Sequence, residues 1–228
     1  MIKNILFDLD DTLLDFKKSE AYALSKTLTE LDVNHDETAV ARYSEINQQM
    51  WKLLEKGELT RQEVLTKRFE LFFEEIGVQK DAFVTKQMYE QNLSKGHYFI
   101  DGAENLLKNL YGYYDLYLVS NGTLHVQQGR IGSSGIKKYF KNIFISEQIG
   151  FVKPQKEFFD KVTEVIPNYN PDETVIVGDS LSSDIKGGNN AGIKTVWYNP
   201  KHIKNTTDAV ANYEIHSLCE LHNVLLNM

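Results

Sequence analysis

Only one cysteine, Cys219, stands in the 228 residues, so no intrachain disulfide can form and a reducing compartment suits the chain. No apolar run approaches the ~18 residues that a membrane span needs. The opening MIKNILFDLDDT meets acid too early for a secretory leader. A soluble, cytoplasmic protein is expected. Positive charge is also scarce: 25 Lys and Arg face 32 Asp and Glu, a formal net charge of -7. That balance disfavours nonspecific binding to nucleic acid polymers or anionic membranes, so an anionic ligand would need a local positive site. The six histidines show no ligand-like clustering, and neither an internal repeat nor a low-complexity tract occurs. The glycosylation-like triplet at Asn205 has no meaning without export.

What remains is an ordinary globular composition, 42% hydrophobic and 25% charged, long enough for one large domain or for a core with an insertion. Five runs rich in β-branched and aromatic residues predict buried strands at Ile2–Phe7, Asp115–Ser120, Asn142–Ser146, Thr174–Gly178 and Lys194–Tyr198. Helical periodicity between the later runs, at Gln155–Ile166 and Ser182–Ala191, predicts an α/β fold with a doubly wound parallel sheet. The long gap between the first two strands is helical in character, with Ala21, Leu24, Leu28 and Leu31 on one face. We therefore expect a core of residues 1–16 and 97–228, and an inserted cap domain of about four helices at 17–96. Trp51, Phe69, Phe72 and Phe73 are expected in the core of that cap, and Cys219 to be packed within an apolar helix.

The chemistry is concentrated where the predicted strands end, the place at which doubly wound sheets bind ligands. Asp8, Asp10 and Thr12 follow the first strand, and Ser120, Asn121 and Gly122 the second. Lys153 and Pro154 follow the third, and Asp179, Ser180 and Asp184 the fourth. Each set taken alone reads as turn or cap chemistry. Together they form the reagents of phosphoryl transfer through an aspartyl phosphate. Carboxylates at two strand ends can hold Mg2+, one carboxylate can attack, and its neighbour two residues on can serve as acid and base. A hydroxyl and backbone amides can hold the phosphoryl oxygens while a lysine neutralises the carboxylates. The crowding of Asp8, Asp10 and Asp11 itself calls for a cation, since at about 4 Å each like pair costs on the order of 4 kcal/mol at an effective dielectric of about 20.

The motifs DLDDT, SNG, KP and GDSLSSD, in this order, resemble the haloacid dehalogenase (HAD) superfamily of phosphohydrolases with a helical C1-type cap. The stretches DLDDTL, SNGTLHVQQGRI and YFKNIFISEQIGFVKP look most like its 5'-nucleotidases of noncanonical pyrimidine nucleotides. The resemblance implies that Asp8 is the nucleophile and Asp10 the acid and base. It further implies metal ligation by the Asp8 carboxylate, the Asp10 main-chain carbonyl and Asp179, with Asp184 alongside or reaching the metal through water. Ser120 and the Asn121 amide would bind the phosphoryl group with Lys153, and Thr12 would brace the turn. The expected substrate is a small phosphate monoester, a nucleoside 5'-monophosphate ahead of a sugar phosphate, and the expected state a monomer. A dehalogenase has no need of Asp10, and a mutase would have to retain its intermediate. A receiver-type signalling module places its acidic pair and its phosphorylated aspartate on different strands, and a binding protein has no need of the full reagent set. Two departures stand out: Gln155 replaces an aspartate common after the Lys-Pro, and the glycines of QQGRIGSSGI weaken the helix expected there. Gln127 and Arg130, close after the second motif, are within reach of a substrate contact, but the structural reading is preferred for both.

Overall fold

The computed structural model describes Met1–Met228. A six-stranded sheet carries the fold, formed by β1 (Asn4–Phe7), β2 (Asp115–Ser120), β3 (Asn142–Ile145), β4 (Thr174–Gly178), β5 (Lys194–Tyr198) and β6 (Tyr213–Ile215). Their order is β3-β2-β1-β4-β5-β6 and every pairing is parallel. Successive residues of a strand point to opposite faces, and the sheet uses both. Ile5, Phe7, Val175 and Val177 enter one apolar cluster, whereas Leu6 and Ile176 enter another with Phe158 and Phe159. Burial on both faces explains why β1 and β4 read as unbroken apolar runs rather than alternating ones. From β1 the chain builds outward to β2 and β3, then returns to β1's other side with β4. The reversal puts the switch point of the sheet beside the end of β1, where ligands of such folds bind.

Of the five helices between β1 and β2, the first four form the insertion: α1 (Phe16–Glu30), α2 (Glu37–Glu55), α3 (Arg61–Glu75) and α4 (Ala82–Leu93). Each starts on a side-chain cap, Asp15, Asp36, Thr60 and Asp81 respectively, and Thr60 forms a reciprocal box with Glu63. Their shared core is aromatic. Tyr43 stacks on Phe69 at 5.1 Å and meets Phe72 edge-on at 5.5 Å, and Phe69 meets Tyr89 at 5.4 Å. The same cluster takes in Val126 and Val152, so the insertion packs directly on the sheet domain. The outgoing and returning segments run side by side, with Asp15 N donating to Tyr98 O and Ile100 N to Leu13 O.

The remaining helices flank the sheet: α5 (Ala103–Leu110), α6 (Leu124–Ser134), α7 (Ser146–Ile149), α8 (Lys156–Thr163), α9 (Lys186–Ala191) and α10 (Leu221–Leu226). No helix is long and apolar enough to cross a membrane. Several expectations need correction. A sixth strand, β6, extends the sheet, and β1 starts at Asn4 rather than Ile2. The expected helix from Ser182 opens as a π-helical turn, Leu181–Ile185, before α9. Helix α6 continues through Gly129 and Gly132 despite their poor propensity. Cys219 is exposed, because the apolar face of its segment is made by Leu218, Leu221 and Leu225.

Candidate active site

Residue Asp8 continues the β1–β4 ladder by one bond, its amide donating to Val177 O at 2.9 Å. The chain then turns tightly, and the amides of Leu13 and Leu14 both donate to Leu9 O. Asp11 adopts a left-handed conformation, φ +57°, and its Oδ1 accepts from the Phe16 amide at 2.9 Å at the start of α1. That carboxylate is therefore answered by a helix terminus and not by the centre of the site. Thr12 is fully buried behind the turn, where its hydroxyl accepts from the Asp179 amide at 3.1 Å. It braces two strand ends against one another, and it does not line the cavity.

Lys153 occupies the centre. Its ammonium donates to Asp8 Oδ1 at 2.6 Å, Asp184 Oδ1 at 2.7 Å and Val119 O at 3.0 Å, and it is 1% exposed. Burial works against its charge, yet Asp184 and Asp8 outweigh that and hold its pKa above the usual lysine range. Asn121 fixes the lysine's backbone reciprocally, accepting from Lys153 N at 2.8 Å and donating to Lys153 O at 2.9 Å. Asp184 Oδ2 accepts from Ser180 N at 3.1 Å. Its carboxyl packs so closely on Gly178 that a Cβ there would collide with it, which is why β4 must end in glycine.

The carboxylate oxygens of Asp8, Asp179 and Asp184 can all lie within 4.8 Å of one another. Burial pushes Asp8 up to about 8, with Lys153 pulling the other way and Asp184 and Asp10 adding to the rise. Burial likewise lifts Asp179 well above the ordinary carboxylate range, and Asp8 and Asp184 reinforce it. Three crowded acids against one lysine form an all-oxygen donor set that suits a hard divalent cation. The Asp10 side chain turns away from this group, toward α6, and is bonded there to Gln127 and Arg130. Ser120 Oγ accepts from the Gly122 amide at 3.1 Å and from Gln127 Nε2 at 2.8 Å.

A cavity of about 510 Å³ opens above these residues, within the range of small-molecule sites. Its far wall belongs to the insertion and includes Asn47, Trp51 and Arg68. Asn47 Oδ1 accepts from Arg68 Nη1 at 2.9 Å and Trp51 Nε1 at 3.0 Å, while its amide donates to Glu20 at 2.7 Å. Trp51 packs on the edge of the cap core as expected and also lines the cavity, whereas Phe69, Phe72 and Phe73 are fully within that core. Polar contacts join the insertion to the strand ends: Ser182 Oγ donates to Glu55 Oε2 at 2.7 Å, Arg61 Nη1 to the carbonyls of Asn121 and Gly122 at 3.0 and 3.3 Å, and Arg61 Nη2 to Ser146 Oγ at 2.5 Å. Sequence reasoning missed Arg61 and Glu55, and it did not connect Asp10 with Gln127 and Arg130. For the last two a signal was present, since a glutamine and an arginine three apart on the helix after β2 share one face.

This arrangement agrees with what comparison finds. Haloacid dehalogenase-like hydrolases match over residues 5–198. The HAD-hydrolase YfnB of Bacillus subtilis (strain 168) is 43% identical over 98% of this chain and 95% of its own length. The pyrimidine 5'-nucleotidase PynA of Streptococcus pneumoniae (strain ATCC BAA-255 / R6) is 40% identical over 96% of this chain and 93% of its own. The magnesium-bound crystal structure of YfnB, which reveals interdomain movement in that protein, superposes with a TM-score of 0.94 over 98% of both chains at 42% identity. Sheet order, strand-end acids, buried lysine and sequence relatives lead to one conclusion: the chain belongs to the haloacid dehalogenase-like hydrolases.

Proposed function

We propose that this chain is a Mg2+-dependent phosphatase that hydrolyses nucleoside 5'-monophosphates, pyrimidine ones foremost, through an aspartyl-phosphate intermediate. The observation that carries the chemistry is the Lys153 ammonium shared between Asp8 and Asp184, beside Asp179 and at the floor of the cavity. The substrate class rests on the relative PynA. Asp8, Asp179 and Asp184, with the Asp10 main-chain carbonyl, would hold Mg2+, which when bound neutralises the acids and draws charge from the phosphoryl oxygens.

Lys153 holds one Asp8 oxygen, which leaves the other for attack on phosphorus. The new Asp8 Oδ–P bond forms as the P–O bond to the nucleoside breaks, and Asp10 gives a proton to the departing 5'-oxygen. Asp10 then takes a proton from water as that water attacks phosphorus, the Oδ–P bond breaks, and phosphate leaves with Asp8 restored. Ser120 and the Asn121 amide would hold the phosphoryl oxygens throughout. A positioned acid and base contribute about 10²- to 10⁴-fold. Enclosure by residues 17–96, acting as a cap on the core of 1–16 and 97–228, supplies the water-poor surroundings in which the fixed charges act most strongly.

Phosphate release across a panel of nucleoside monophosphates and sugar phosphates, with Mg2+ and with EDTA, tests this reading against an Asp8→Asn blank. Release led by dUMP, UMP or dTMP, lost in EDTA and in the blank, is expected. A sugar phosphate leading the panel would keep the chemistry and replace the substrate class. Release that persists in Asp8→Asn would reject the covalent route.

A further inference from the structure

The group proposed as acid and base is gripped by two buried side chains of α6. Gln127 Nε2 donates to Asp10 Oδ2 at 2.6 Å, and Arg130 Nη1 pairs with Asp10 Oδ1. The two grips are linked, since Arg130 Nη1 also donates to Gln127 Oε1 at 3.0 Å. Neither residue reaches solvent: Arg130 is 0% and Gln127 1% exposed. Asp10 therefore has no freedom of direction that α6 does not allow.

Each gripping residue has a second attachment. Arg130 Nε donates at 2.9 Å to the carbonyl of Gly96, where the chain comes back from the four-helix insertion. Its guanidinium lies 5.6 Å over the ring of Phe16, where the chain departs. Gln127 Nε2 also donates to Ser120 Oγ. With the Gly122 amide donating to the same oxygen, both acceptor sites of the Ser120 hydroxyl are engaged and its own hydrogen is left to donate.

Stability alone is a poor account of this arginine. Taking a guanidinium out of water is costly, and a paired buried ion is often no better than an apolar residue of its size. One end, Nη2, is buried with no hydrogen-bond partner, which adds a desolvation cost that nothing in the fold repays. A residue retained on those terms at 0% exposure, with its charge on Asp10, is explained by what it does to Asp10.

We infer that Arg130 and Gln127 are positioning residues for the hydrolysis. They fix the place of the Asp10 carboxyl in the wall of the cavity that would hold the leaving group, register it to both crossings of the insertion through Gly96 and Phe16, and turn the Ser120 hydroxyl into a donor. The inference rests on the reading of Asp10 as leaving-group acid proposed above. A guanidinium fork can hold Asp10, Gln127 and Gly96 together, whereas a lysine ammonium at that site cannot reach the same set.

The test uses leaving groups of different need. The ratio kcat/KM covers the steps through phosphoryl transfer to Asp8. An alkyl ester such as a nucleoside 5'-monophosphate must have its leaving oxygen protonated, while 4-nitrophenolate departs without help. With the Mg2+-loaded protein, Asp10→Asn, Arg130→Met, Arg130→Lys and Gln127→Met are compared on both esters. Expected for Arg130→Met is a loss of about 10²-fold or more on the alkyl ester, with a loss under about ten-fold on 4-nitrophenyl phosphate, in parallel with Asp10→Asn. Arg130→Lys should fall between. Equal losses on both esters in Arg130→Met, while Asp10→Asn separates them, would overturn the inference and leave the acid reading intact. Failure of Asp10→Asn itself to separate the esters would reject the acid reading and the positioning role with it. Should Arg130→Met not fold by circular dichroism, Gln127→Met decides the matter on the same ratio, because it removes a neutral amide only.

Discussion

Arg61 Nη1 stands 3.0 Å from the main-chain oxygen of Asn121, so a residue at the start of α3 donates into the loop that follows β2. That carbonyl shares a planar trans peptide with the Gly122 amide, so the two point in opposite directions. Arg61 holds one side of the peptide, and Ser120 Oγ receives the other. The insertion thereby sets the orientation of the loop proposed to cradle phosphate. Hydrogen bonds from a charged donor are worth about 1.5–3 kcal/mol. Arg61→Met should lower kcat/KM by about 10- to 100-fold and the thermal midpoint by roughly 3–10 °C, read from steady-state phosphate release and scanning fluorimetry.

Lys153 is the counterion of two buried acids, and its removal leaves both uncompensated. Breaking such a pair costs about 3–5 kcal/mol. Lys153→Met is expected to abolish turnover and to destabilise the metal-free protein by that order, read from urea unfolding. A fall in activity without a fall in stability would contradict the central position given to this residue.

The raised acids make stability depend on pH in a definite direction. Unfolded aspartate titrates near 3.9, whereas Asp8 in the folded protein is pushed up to about 8 and Asp179 well above its ordinary value. Between those limits the folded state binds more protons than the unfolded one, so stability falls as pH rises through the window. Cation binding needs the deprotonated carboxylates and works in the opposite sense. In EDTA the thermal midpoint should drop between pH ~5 and ~8, and the increment produced by Mg2+ should grow over the same range. Scanning fluorimetry across that series gives the answer.

Two glycines of one helix should respond with opposite sign to the same substitution. A Cβ at Gly129 would stand 2.6 Å from the carbonyl oxygen of Ser94, whereas one at Gly132 meets nothing within 4 Å. Alanine gains about 1 kcal/mol of helix propensity at either site. At Gly129 the overpacking cost of about 1–3 kcal/mol cancels or exceeds that gain. Gly132→Ala should therefore stabilise by about 1 kcal/mol and Gly129→Ala should destabilise, both measured by urea unfolding.

The strands were legible because burial on both faces leaves an apolar run in the sequence itself, as in β1 and β4. The strand-end acids and Lys153 were legible because parallel strands deliver their C-terminal ends to one rim. At three residues, β6 was too short to leave a pattern. The cavity-lining face of Trp51 escaped because α2 carries apolar residues to both the aromatic core and the cavity wall, and periodicity does not tell the two apart. Cys219 was misread by one helical position, since the flanking leucines carry the buried face. Arg130 and Arg61 meet their partners across 120 and 60 residues of sequence, a proximity that only the closed fold creates.

All three hydrogens of the Lys153 ammonium are engaged by Asp8, Asp184 and Val119. None is left to greet an incoming anion. With Asp8, Asp179 and Asp184 ionised, that lysine leaves the rim in net deficit by two charges, and a phosphate ester meets repulsion there. A divalent cation restores neutrality. Without the cation that repulsion is relieved only by protons on the acids, the state that the raised Asp8 and Asp179 record, so cation and proton compete for one duty at this rim.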